Sequence, residues 1–318
     1  MPTPVIPASF TRKKAKILAK LSVPEHEYSD KSPKGSVDEG IRDLIDEINS
    51  YEGLVTTSSC AGRISVFLEG ERVREQPDDA ADDDGTNART AAGGKGGGSF
   101  LFTSHEALDP RSIPGSLTEA FKLKLVPAEE LGAGGFSSKD RMIRFSFEPM
   151  ILHVMAASLQ HARPLLSAAI NAGFRESGVQ SLRCLDDPEA CPIVAVRTAG
   201  LGLESIIGHA GVSDAVEFEN QRVDGYELYA NEYEALVTEK YLGTLASIAN
   251  ERFAANKHKI SRFRTCLHEA MAVQLKKRQE AEEWEDSETR AQRKKKEGLR
   301  ARHDKKSLHN GQIVDTEN

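Results

Sequence analysis

Residues 54–69, LVTTSSCAGRISVFLE, set two strand-like runs on either side of a cluster of small residues. The β-branched and apolar positions of "LVTT" and "RISVFLE" suit a half-buried pleated surface. Between them stand Ser58, Ser59, Cys60, Ala61 and Gly62, and then Arg63. A plain hairpin is served by Asn-Gly or Asp-Gly, so three side chains with hydroxyl or thiol groups at a strand end ask for a different reason. The segment reads as a turn between two strands, whose small residues leave room for a ligand.

Helical and strand patterns surround it. Ser9 is placed to cap a basic helix, FTRKKAKILAKL, with Phe10, Ile17, Leu18 and Leu21 on one stripe. After DKSPKG, Ile41, Leu44, Ile45 and Ile48 recur at helical spacing, and Ser36 with Glu39 forms a capping-box pattern. Residues 70–98 have almost no apolar content and read as a disordered acidic and glycine-rich insertion, a swollen hairpin loop between ISVFLE and SFLFTS. MIRFSFE and MILHVM read as strand material around Pro149. SLQHARPLLSAAINAG reads as a helix closed by Gly173, with Pro164 near its first turn or at a kink, and PIVAVRT as a buried-type strand. From Glu239 a 3.6-residue period runs through Leu242, Leu245, Ala249, Phe253, Ile260, Phe263, Leu267 and Met271, so a long amphipathic helix closes the fold. The expected class is α+β: one mixed-sheet domain over residues 1–275 with flanking helices. A charged, basic-rich tail over 276–318 is expected as frayed helix or disorder.

The formal charge of -7 argues against a wholly basic nucleic-acid binder, but it averages opposed segments. Asp78, Asp79, Asp82, Asp83 and Asp84 crowd the insertion, and residues 290–306 carry nine Lys or Arg against two acids. The four cysteines show no CxxC spacing, the first residues lack a signal-peptide apolar run, and no stretch approaches the roughly 18 apolar residues of a membrane span. These features point to a soluble cytoplasmic protein with no membrane partner; they are silent on protein partners.

Several positions carry chemistry, each beside a structural alternative. Lys34, Gly35, Ser36 and Asp38 precede a helix, whose free N–H groups can hold a carboxylate or phosphate; equally, Ser36 and Glu39 serve as a cap. Cys60 is a nucleophile if a neighbour lowers its pKa, or else a small buried thiol. His105 and His153 are candidate general bases, with Glu148 an orienting carboxylate, or histidines hydrogen-bonded in place. No HExxH, paired-Cys or His-x-His pattern suggests a metal. The glycines at 93–98 lie in low-complexity sequence, and neither a dinucleotide fingerprint nor a P-loop occurs, so a Rossmann methyltransferase fold is not indicated. The tail RAQRKKKEGLRARHDKK suits phosphate backbones or an import signal, without aromatics for base stacking.

KGSVDEGIRDLIDEIN followed by VTTSSCAGRISVFLEG resembles the wybutosine-synthesizing protein 3 family. FTSHEAL, FEPMILHVMAASLQHARPLL, AGFRESGV, IVAVRTAGLGLE and YLGTLASIANERFAANKHKISRF follow in matching order, so the resemblance spans roughly residues 10–272 outside the insertion. It implies a non-Rossmann enzyme that takes a methyl group from S-adenosyl-L-methionine. The acceptor would be a ring nitrogen of the tricyclic wybutosine precursor, next to the anticodon of tRNA(Phe). The motif positions it implies are Ser36, Asp38, Ser58, Ser59, Cys60, Gly62, Arg63, His105, Glu148, His153, Arg197 and Glu204.

On that resemblance, His105 or His153 is the base, with Asp38 or Glu148 setting its orientation. Ser36, Ser58, Ser59, Cys60, Gly62 and Arg63 shape the cofactor site, while Lys34, Glu148, Arg197 and Glu204 meet the substrate. Phe100 stands where relatives often have tryptophan, Leu201 where some have histidine, and SLRCLDDPEACP is a local extension. Two other functions remain open: a noncatalytic tRNA-binding module and a thiol-dependent hydrolase or acyltransferase using Cys60.

Overall fold

The computed structural model describes residues 6–22, 39–70, 97–109, 113–125, 140–187, 189–210, 222–223, 226–227, 233–283, 290–297 and 299–300. The chain divides into a unit of Pro4–Ala270 and a second unit that includes Met271–Asn318. In the first, helix α1 (Ala8–Leu21) is followed by a 3₁₀ turn, Glu39–Ile41, and α2 (Arg42–Ser50). Strands β1 (Leu54–Leu68) and β2 (Ser99–Ser104), the short α3 (Leu117–Ala120), β3 (Arg141–Ala156) and α4 (Leu159–Asn171) come next. Then come β4 (Gly178–Val179), β5 (Ile193–Val196), β6 (Leu203–Ala210), the short β7 (Arg222–Val223) and β8 (Tyr226–Glu227), β9 (Tyr233–Ala235) and α5 (Glu239–Glu283).

The expected α+β architecture is present. A seven-stranded sheet runs β2-β1-β3-β5-β4, with β6 also on β3 and β9 beyond β6. All its ladders are antiparallel; Lys124 and Glu234 form an isolated parallel bridge. β1 and β2 pair antiparallel from Ile64–Ser104 to Leu68–Ser99, as the two arms of a hairpin spanning the insertion must.

Two expectations change. LVTT and RISVFLE are not two strands joined by a turn but one 15-residue strand, and the runs flanking Pro149 are likewise one strand. The register explains the misreading. In β3, Ile143, Phe145 and Phe147 are buried on one face; past Pro149, Met150, Leu152 and Val154 are buried on the other. Paired with them, Ile64 and Val66 lie beneath the first core, while Ser58 and Cys60, of the same parity, are exposed or half-buried. The sheet therefore buries opposite faces in its two halves. Side chains alternate strictly along a strand, so a change of buried face appears in sequence as a break in phase. The change falls where Gly62 pairs with Pro149. Pro149, with no N–H to give, lies between the end of the β6 ladder at Phe147 and the start of the β5 ladder at Leu152.

Each half has its own cover. On one, Phe121, Phe145 and Phe147 form a core with Leu242, Leu245, Ala249 and Phe253 of α5. The other half is covered by α2 and α4, with Phe174 edge-on to Phe263 at 5.8 Å. α5 serves both, and between Phe253 and Phe263 it carries Asn256, 1% exposed. The Asn256 carboxamide accepts from the Met150 N–H (3.1 Å) and donates to the Ala61 carbonyl (2.7 Å), tying the helix to both long strands at the change of face.

The helix ends also differ from expectation. Pro7, not Ser9, is the N-cap of α1, and Ser9 Oγ donates to the Glu189 carbonyl. Phe10 packs with Val55 and Met155. Pro164 sits inside α4, beyond its first turn, and Gly173 closes that helix at φ +95. The proposed Ser36 cap lies outside the described residues, and α2 has no side-chain cap. Within the second unit α5 continues to Glu283, Val273 and Leu275 are exposed, and Arg293 Nη1 meets Glu297 Oε1 at 2.8 Å. No helix of the described residues is long and apolar enough to cross a membrane.

Candidate active site

The small-residue segment lies along β1 against β3, so each of its side chains has a defined opposite. Ser58 faces His153, Cys60 faces Ile151, Gly62 faces Pro149 and Arg63 faces Glu148. A register shift between Thr56 and Ser58 leaves Thr57 as the extra residue, and its hydroxyl donates to the His153 carbonyl at 3.0 Å. Alternation then sorts the candidates onto two faces. Ser58, Cys60 and His153 share one, while Ser59, Arg63 and Glu148 share the other.

On the His153 face, Ser58 Oγ stands 2.9 Å from His153 Nδ1. Burial, and then the nearby positive charge of Arg197, hold His153 below its ordinary value of 6.5. It is therefore neutral at pH 7. When Nδ1–H donates to Ser58, Nε2 carries the lone pair that a general base needs. Arg197, exposed just past β5, has its backbone N–H held by Ser177 Oγ at 3.1 Å. α1 flanks this half of the face through Phe10 against Val55 and Met155. It brings Arg12, Lys13 and Lys16 along, and Lys14 donates to the Tyr51 carbonyl at 2.5 Å.

The other face is a row of ionic and hydroxyl pairs. Arg63 Nε donates to Glu148 Oε2 at 2.7 Å and its guanidinium lies 5.2 Å from the Phe100 ring centre. Ser65 and Ser146 meet at 2.9 Å, and Arg144 bonds both Glu69 and Glu204 at 2.5 Å. Glu148 and Glu204, expected to meet substrate, are thus each engaged by an arginine. Glu148, expected to orient a histidine, bonds Arg63 instead, and the hydrogen-bond partner of His153 Nδ1 is Ser58 Oγ.

Gly62 lacks a side chain for a protein reason. At φ +115, a Cβ there would lie 3.0 Å from Asn256 Nδ2 and 3.1 Å from the Glu148 carbonyl oxygen. His105 directly follows β2, one residue past the Ser104–Ile64 pair, and so lies towards the Arg63 end of β1. Lys34, Ser36 and Asp38 lie outside the described residues. Among the described residues no group of three His, Cys, Asp or Glu could hold a metal, and the four cysteines are free thiols.

A family model described as Methyltransferase TYW3 matches residues 12–269. The chain belongs to that family. It is 32% identical over 285 residues to the tRNA wybutosine-synthesizing protein 3 of Schizosaccharomyces pombe, covering 88% of this chain and 96% of that protein. To the protein of the same name in Saccharomyces cerevisiae it is 30% identical over 316 residues, 95% of this chain and 97% of that one. Among solved structures, the PH1069 protein from Pyrococcus horikoshii superposes with a TM-score of 0.50 at 25% identity, over 81% of this chain and 96% of its own.

The chain is accordingly a tRNA methyltransferase of wybutosine biosynthesis, on a curled antiparallel sheet rather than a Rossmann fold. It requires a methyl donor. The residue that sequence reasoning missed is Asn256. Its signal was present: it falls in phase with the buried Ala249, Phe253, Phe263 and Leu267, and a polar residue on a buried helical stripe needs partners.

Proposed function

We propose that the chain transfers a methyl group from S-adenosyl-L-methionine to a ring nitrogen of the tricyclic wybutosine precursor in tRNA(Phe), with His153 as the general base. The observation that carries this reading is the Ser58–His153 contact, with the imidazole held neutral beside exposed Arg197. The donor has ribose hydroxyls and a carboxylate, which suit the exposed Ser58 and Arg197 and the half-buried Cys60 on this face. When bound, it supplies an electrophilic methyl carbon on a good leaving group. The protein's task is then alignment, which is worth several orders of magnitude in rate. The ring nitrogen bonds the methyl carbon as the carbon–sulfur bond breaks and its electrons return to sulfur. The nitrogen's proton passes to His153 Nε2, while Ser58 holds Nδ1. The Arg63–Glu148 pair braces the two long strands from the opposite face. This reading places the protein in the cytoplasm with its tRNA.

The test is transfer of labelled methyl from S-adenosyl-L-methionine to tRNA(Phe) carrying the unmethylated tricyclic base, with unmodified transcript as control. Label in the precursor tRNA alone supports reaction and substrate together. Label in neither, with tRNA still bound, returns the chain to a binding role.

A further inference from the structure

A cleft of about 710 Å³ opens between the end of α4, the loop after β5 and the middle of α5. Arg175, His258, Lys259 and Arg262 line it, with Glu176 the one carboxylate among the described lining residues. That carboxylate is already committed: it accepts the Ala199 N–H at 3.1 Å, which, as its main cause, holds it below the usual carboxylate range. Lys259 donates to the Gly173 carbonyl at 3.0 Å and to Thr198 Oγ1 at 3.1 Å, both neutral acceptors, and burial pushes its ammonium pKa down. The cleft therefore carries excess positive charge, and its arginines are exposed on the rim. Its wall includes Thr198, on the side of the sheet that α4 and α5 cover.

We propose that this cleft binds a backbone phosphate of the tRNA substrate, with Arg175 and Arg262 as its ligands and Lys259 fixing the cleft's floor. The proposal rests on the tRNA-methyltransferase reading and extends it to how the RNA is held. Guanidinium groups present paired donors matched to phosphate oxygens. Two rim arginines on separate elements would grip a strand passing over the opening.

The experiment measures binding of tRNA(Phe) across a salt series, and separately of S-adenosyl-L-methionine, for the wild type, the Arg175→Gln/Arg262→Gln pair and the Arg175→Lys/Arg262→Lys pair. Each lost phosphate contact lowers the log–log salt slope by about 0.7–0.9. The Gln pair is therefore expected to bind tRNA at least about tenfold more weakly, with a slope lower by about 0.7–0.9 for the one phosphate lost. Donor affinity should not change, and the Lys pair should recover most of the tRNA affinity. Unchanged tRNA affinity and slope in the Gln pair would overturn the proposal. So would lost donor affinity with intact tRNA binding, which would give the cleft to the donor's carboxylate. If the wild type transfers no methyl group but the Gln pair still loses tRNA, the cleft stands and the reading of the activity fails.

Discussion

In the proposed reaction, His153 is the residue on which the chemistry turns. Its Nδ1 contact with Ser58 is local, set by two facing positions on neighbouring strands, but its low pKa comes from burial and from Arg197 on a third element. Replacing His153 with Ala should lower kcat by about 10²–10⁴ while tRNA binding persists; turnover within twofold of wild type would remove it from the reaction. The pH profile follows from the same shift. A folded-state pKa below 6.5 puts the midpoint of the acid limb of activity below that value. Stability has the same sign: this group's contribution is full above the unfolded value and is lost as pH falls through the folded one. Arg197→Ala removes the positive neighbour, so the acid limb should move up in pH, measured as kcat against pH. Gly62 acts structurally. Gly62→Ala meets Asn256 and the Glu148 backbone at a strained φ, and should cost about 1–3 kcal/mol in urea denaturation.

At the scale of elements, α5 is held to the sheet by more than its apolar stripe. Phe253 lies 4.9 Å from Phe147 on one core and Phe263 reaches the other, while Asn256 satisfies backbone groups of both β1 and β3. Asn256→Ala leaves a buried N–H and a buried carbonyl without that partner, at about 1–3 kcal/mol for each group that stays unsatisfied. Faster hydrogen exchange at the Met150 amide is the specific readout, because general loosening of α5 would spread exchange along the helix instead. The start of α5 works similarly. The Glu239 carboxylate accepts from the N–H groups of Leu117 and Thr118, capping α3 from outside its own segment.

For the whole molecule, the antiparallel pairing of β1 and β2 makes residues 71–96 a connection whose length matters little to the sheet. Replacing them with a Gly-Ser loop a quarter as long should raise stability by only about 1 kcal/mol, since each halving is worth about 0.6. A loss of several kcal/mol would show that those residues contact the folded body. Much of this organisation was legible beforehand: the insertion flanked by strands, the helix beginning at Glu239, the buried strand PIVAVRT. What was not legible was the continuity of β1 and β3. Periodicity reports which side is buried, and when that side changes midway, one strand looks like two.

The sequence by itself determined the family and the α+β class, because these depend on local pattern and motif order. Only the tertiary structure decided that Ser58 rather than Glu148 holds His153 Nδ1, that Gly62 makes room for Asn256, and that Arg175, Lys259 and Arg262 surround one cleft. Each depends on which strand face or helix side meets another segment far away in the chain. That is set by packing over the whole fold, and short-range spacing carries no record of it.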